Sequence, residues 1–107
     1  MTEPLHPETE DMALAQVLAA LGDETRLAIV GMLARGAGEP MTCSRFLHLG
    51  SKTGLSYHLA KLREAGLVRV RPEGTKRLIS LRKADLDERF PGLLDSLMTA
   101  DGSEQQA

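Results

Sequence analysis

Apolar residues recur along this chain at spacings that change with position, and those changes divide it into elements. From about Glu10, the residues Met12, Ala13, Val17, Leu18 and Leu21 keep the spacing of one helical face, and Gly22 ends the run. Asp23 is placed to cap a second helix, with Glu24 in the first turn, where the helix dipole favours an acid. That helix has Leu27, Val30, Leu33 and Ala34 on its apolar face, Ile29 at one edge and Gly31 at the other, where a neighbour can pack closely. The stretch Arg-Gly-Ala-Gly-Glu-Pro at 35–40 breaks the pattern. Thr42 is expected to cap a short third helix over Cys43–Leu47, and His48-Leu49-Gly50 turns the chain towards Ser51.

The fourth helix runs from Ser51, a good N-cap, to Gly66, a good left-handed C-terminal stop. Leu55, Leu59 and Leu62 recur at i, i+4 and i+7 and line one face. Thr53, Ser56 and Tyr57 project the other way, Lys61 extends that polar side, and Lys52 and His58 border the leucine stripe. Short polar groups and positive charge opposite an apolar face suit a helix that enters a DNA major groove. An ordinary amphipathic surface helix shares the pattern, so this stretch alone leaves both readings open. Two helices joined by a tight turn containing glycine give a helix-turn-helix layout.

Leu67–Pro72 and Lys76–Arg82 mix Val, Ile and Leu with Arg, and Pro72-Glu73-Gly74-Thr75 separates them. This predicts a β-hairpin with Arg71, Lys76 and Arg77 at its tip. Lys83–Ala100 is helical again through Leu86, Phe90, Leu93, Leu94, Leu97 and Met98, and Pro91 restarts or kinks it. The expected fold is mainly α with a small β-hairpin, in the order α-α-α-α-β-β-α. One domain spans 10–100, between flexible ends at 1–9 and 101–107. The core of so small a unit is thin, and the first and last helices carry more apolar surface than it covers. Pairing them across a two-fold axis would bury that surface, with Val17, Leu18, Leu21, Phe90, Leu94 and Leu97 as interface candidates.

Composition narrows the class. A chain of 107 residues with no Trp, one Tyr and two Phe needs an aliphatic core. No apolar run approaches the roughly 20 residues of a membrane span, and the acidic, proline-containing start is not that of a signal peptide. The one cysteine excludes an intrachain disulfide, and a cytoplasmic setting is the default. Net charge is −2, which taken whole argues against a nucleic-acid partner. Its distribution argues for one. Residues 41–83 hold ten Lys or Arg against two acids, a net of +8, and the rest holds three against thirteen, a net of −10. A basic middle between acidic flanks is a localised electrostatic footprint.

Three stretches carry a resemblance. Leu-Gly-Asp-Glu-Thr-Arg-Leu-Ala-Ile at 21–29, Leu-Ser-Tyr-His-Leu-Ala-Lys-Leu-Arg-Glu-Ala-Gly-Leu-Val at 55–68 and Glu-Gly-Thr-Lys-Arg at 73–77 resemble the ArsR-type (arsenic-repressor-like) winged helix-turn-helix transcriptional regulators. The resemblance covers roughly residues 12–98. It implies a homodimeric bacterial repressor on double-stranded DNA with a palindromic operator, dimerising through its first and last helices. By position it puts Lys52, Thr53, Ser56, Tyr57 and His58 on the helix that enters the major groove, with Lys61 on the same polar side. Arg71, Lys76 and Arg77 fall on the wing, beside the minor groove or phosphates. For His58 a hydrogen bond inside the domain is an equal alternative.

Many such regulators sense metals, and this chain departs from both recognisable patterns. Where one type has a Cys-x-Cys pair, it reads Thr42-Cys43-Ser44-Arg45. Where another uses His with acids on the last helix, it has Asp85, Asp87, Glu88 and Asp95 but no His. His6, His48 and His58 are scattered. No metal site and no cofactor is expected, since tight transition-metal sites need several imidazole or thiolate ligands. Cys43 reads as a small buried hydrophobe first and a redox switch second. No nucleophile–base pair or phosphate loop points to an enzyme. The alternatives are a protein-binding module on the same fold and a metal- or redox-responsive repressor with a non-standard site. The effector, if there is one, is left open.

Overall fold

The computed structural model describes residues 4–101. Five α-helices and a small sheet make up the domain: α1 (Leu14–Leu21), α2 (Glu24–Arg35), β1 (Met41–Thr42), α3 (Lys52–Ala65), β2 (Val68–Glu73), β3 (Lys76–Leu81), α4 (Lys83–Arg89) and α5 (Leu93–Asp101). Thr9–Asp11 and Cys43–Leu49 form 3₁₀ turns.

The capping residues act as their chemistry requires. The Asp23 side chain accepts from the backbone N–H of Arg26 at 3.0 Å and starts α2. The Ser51 hydroxyl accepts from Gly54 N–H at 3.0 Å and starts α3. Gly66 ends α3 with φ 93°, a left-handed conformation that costs an L side chain dearly. Its missing Cβ also makes room, because a Cβ there would lie 2.7 Å from Cγ and Cε of Met12.

One apolar core joins the layers. Ile29, Val30 and Leu33 of α2, Leu55, Leu59 and Leu62 of α3, Val68 and Val70 of β2 and Ile79 of β3 are buried in it. In β2 the alternation is regular: Val68 and Val70 face inward while Arg69 and Arg71 face solvent. Strand order is β1-β3-β2, all antiparallel, with Val68 opposite Leu81 and Glu73 opposite Lys76. The connection is therefore two residues, Gly74-Thr75, and Gly74 takes φ 62° as the first residue of a type II′ turn does. Pro72 is tolerated because β2 is an edge strand.

Several elements differ from the sequence pattern, each for a tertiary reason. The third helix is a 3₁₀ turn, and Thr42 makes no cap. Thr42 instead pairs with Leu78 in β1, and its hydroxyl meets that of Ser44 at 2.9 Å. The first helix starts at Leu14, so Met12 lies before it, buried against Gly66. The last helical stretch does restart around Pro91, as its position there led one to expect, with Gly92 at φ 83° between the two halves. Residues 4–9, expected to be frayed, are stitched down. The Val70 N–H donates to His6 Nε2 at 3.0 Å, Arg82 donates to the Pro7 carbonyl at 2.7 Å, and Arg63 donates to the Leu5 carbonyl. At the other end α5 extends to Asp101, and the flexible tail expected beyond it lies outside the described residues.

Candidate nucleic-acid interface

The leucine stripe decides which way α3 faces. With Leu55, Leu59, Leu62 and Ala65 sealed in the core, Lys52, Thr53, Ser56, Tyr57 and Lys61 are left on the surface. The Lys61 ammonium lies 5.5 Å from the centre of the Tyr57 ring, so the cation and the aromatic form one exposed unit.

The hairpin supplies the second part. Arg71, Lys76 and Arg77 are all exposed at its end. Arg71 stands 3.6 Å from Glu73, which takes up part of its charge. A groove of about 560 Å³ separates hairpin from helix, with Lys52 and Ser56 on one wall, Lys76 and Arg77 on the other, and Cys43 at the 3₁₀ turn. Ser56 and Arg77 also line a second hollow, of about 340 Å³, together with Arg63 and Pro72. Eight of the nine residues carried onto the DNA-contacting set are thus exposed, and four of them, Lys52, Ser56, Lys76 and Arg77, line one groove.

His58 is the exception, and its assignment is corrected. Its side chain is only 20% exposed, and Nδ1 sits 2.9 Å from an Arg26 guanidinium nitrogen and 3.8 Å from Asp23. The ring lies at the edge of the leucine stripe, and at that angle it faces α2. The backbone N–H of Arg26 holds the Asp23 carboxyl below its ordinary value, and the Arg26 guanidinium adds to that. Cys43 is half-buried, and burial pushes its thiol up while the Arg77 guanidinium pulls the other way. A thiol so held behaves as a small hydrophobe.

The six interface candidates separate in the same way. Val17, Leu21 and Leu94 are consumed by the core of the chain itself, at 0%, 6% and 3% exposure. Leu18 is open at 46%, as is Leu14, which the sequence reading passed over. Phe90 and Leu97 are partly covered. Leu14 and Leu18 share the outer face of α1 at i and i+4, a signal that the sequence did contain. Among the described residues no three His, Cys, Asp or Glu come together as metal ligands would, and no helix is long and apolar enough to cross a membrane.

A helix-turn-helix whose second helix bares its polar face beside a cationic hairpin defines a winged helix-turn-helix DNA-binding domain. Known proteins agree. A family model described as a helix-turn-helix domain matches residues 21–71. The uncharacterized HTH-type transcriptional regulator YceK of Bacillus subtilis (strain 168) is 36% identical over 92 residues, spanning 84% of this chain and 91% of that protein. The solved structure of HlyU from Vibrio cholerae N16961 matches 80% of this chain and 88% of its own, with a TM-score of 0.65 and 27% identity. The structure of an ArsR family transcriptional regulator covers 88% of this chain and 97% of its own, with a TM-score of 0.62; at 21% identity it speaks to the fold alone. The chain belongs to the helix-turn-helix DNA-binding transcriptional regulators, and its fold is that of an ArsR family member.

Proposed function

We propose that the protein is a homodimeric repressor acting in the cytoplasm on a palindromic operator. Each subunit lays α3 in a major groove and its hairpin over the adjacent minor groove or phosphates. The observation that carries this reading is the groove shared by Ser56 and Lys52 of α3 with Lys76 and Arg77 of the hairpin. One strand of a duplex can reach both walls, so the cations attract phosphates while the hydroxyls and Tyr57 meet phosphates or base edges. Dimerisation is supported by Leu14 and Leu18, two leucines of one helix face left open to water. Placed across a two-fold axis with the partly covered Phe90 and Leu97, they bury apolar surface that a single subunit leaves wet.

The test is selection of bound fragments from genomic DNA, paired with sedimentation of the free protein. Inverted half-sites about one helical turn apart, recognised by a sedimenting dimer, are the expected result. A lone asymmetric site bound by a monomer would overturn it. Within such a site, Ser56→Ala and Tyr57→Ala should weaken the selected duplex more than random DNA. Equal losses on both would remove these two residues from the reading of bases.

A further inference from the structure

The Asp23-Glu24-Thr25-Arg26 stretch carries part of the resemblance, and Arg26 lines a hollow with Tyr57 and Lys61 of α3. Arg26 Nε donates to the Ala20 carbonyl in the last turn of α1 at 2.6 Å, and its Nη1 meets His58 Nδ1 of α3 at 2.9 Å. Asp23 holds the Arg26 backbone N–H at 3.0 Å. One guanidinium therefore ties three helices. We infer that Arg26 and His58 are positioning residues that set the roll of α3, and so the pose of Tyr57 on DNA, in a manner that depends on the protonation of His58. The inference rests on α3 being the helix that reads DNA.

The leucine contacts decide which face of α3 is buried, but apolar contact itself is non-directional and leaves the last degrees of roll to polar partners. A hydrogen bond between rigid planar groups fixes it well. Arginine has donors only, so the ring nitrogen facing it must be the acceptor. That requires neutral imidazole with its proton on Nε2. The His58 ring also packs edge-on against Tyr57, with centroids 5.6 Å apart and planes at 65°. A shift of the first ring is thus felt by the second, which faces outward.

Protonation at Nδ1 removes the acceptor and sets two cations 2.9 Å apart. Asp23, 3.8 Å from the same nitrogen, is the carboxylate that the imidazolium would turn towards. Because the Arg26 backbone N–H lowers its pKa, Asp23 stays ionised where imidazoles titrate. The charged groups around the ring are Asp23 and Arg26 from the α2 side. On α3 itself Tyr57 adjoins it, with Lys61 and Glu64 further along the same hollow. Helix α1 brings no charged side chain, only the Ala20 carbonyl and Gln16, whose amide donates to the Glu64 carbonyl at 3.2 Å.

Two variants of the full-length protein separate the possibilities. His58→Asn places an amide oxygen near the position of Nδ1 and does not titrate, whereas His58→Leu has no acceptor. The probes are a duplex of about three helical turns selected on the wild type and a random duplex of equal length. At pH 8, His58→Asn should bind the selected duplex within about twofold of wild type, and His58→Leu about tenfold more weakly, the scale of one charge-assisted hydrogen bond. All three should bind the random duplex alike. As pH falls the wild type should lose affinity relative to His58→Asn on the selected duplex, a ratio that cancels His6 and His48. A constant ratio across pH overturns the proton dependence. Wild-type affinity in His58→Leu, or equal losses on both duplexes, overturns the positioning role. If the wild type enriches no duplex, the DNA-reading assignment of α3 itself fails, and this inference with it.

Discussion

Removing the two cations at the hairpin tip gives the sharpest test of the wing. In Lys76→Ala/Arg77→Ala both changes fall on exposed side chains flanking a two-residue turn, so the fold has little reason to respond. Each cation neutralises at most one phosphate, and each phosphate contact contributes about 0.9 to the slope of log K against log salt. The double variant should therefore flatten the slope by up to about 1.8 for each subunit engaged. Carried from 1 M salt down to about 0.15 M, that is roughly a 30-fold loss of affinity per subunit, nearly independent of sequence. Two engaged subunits would give about 3.6 and roughly a thousandfold. The assay is fluorescence anisotropy on a selected and a random duplex over a range of salt. Arg71 is left in place because Glu73 already shares its charge. A slope unchanged from wild type would refute the placement of the wing on phosphates. A loss seen on the selected duplex alone would mean that these residues read bases.

Three further outcomes follow from burial and charge. Gly66→Ala should destabilise the domain by about 2–4 kcal/mol in urea unfolding, about 1 from the left-handed φ and about 1–3 from overlap with buried Met12. A loss under about 1 kcal/mol would show that Met12 can give way. Leu18→Glu should leave a folded monomer, because Leu18 is open in the subunit. Leu94→Glu should instead unfold the chain by burying an unpaired charge; sedimentation and circular dichroism together distinguish these, and a folded Leu94→Glu monomer would contradict the burial. Asp85 is held below its ordinary 3.8 first by its hydrogen bond from Arg82, with the Thr9 hydroxyl adding to it. A depressed carboxylate contributes stability above its unfolded value and loses it as pH falls through the folded one. Asp85→Asn should therefore flatten the acid limb of the stability profile below about pH 4 and leave its shape near neutrality alone. An unchanged acid limb would show that the pair contributes nothing.

Local chemistry determined much of this protein. Asp23 and Ser51 cap helices wherever they begin one, and Gly66 can turn left-handed where few residues can. The leucine spacing of α3 settles which face is buried, so Thr53, Ser56, Tyr57 and Lys61 had to remain outside. The alternation in β2 and the Gly-Thr turn were equally local. What could not be read locally depended on partners far away in the chain. Thr42 looked like a cap but is drawn into a strand by Leu78. His58 sat on the border between two faces, and only the approach of Arg26, 32 positions earlier, pulled it inward. Residues 4–9 lack a periodic pattern, so nothing in their spacing shows that Arg63, Arg82 and the open edge of β2 would fasten them. Val17 and Leu18 are neighbours with the same chemistry, yet one is sealed and the other bare. Periodicity reports that a face is apolar. Which apolar side chains the subunit covers itself depends on where the other helices come to lie, and that is a property of the assembled fold.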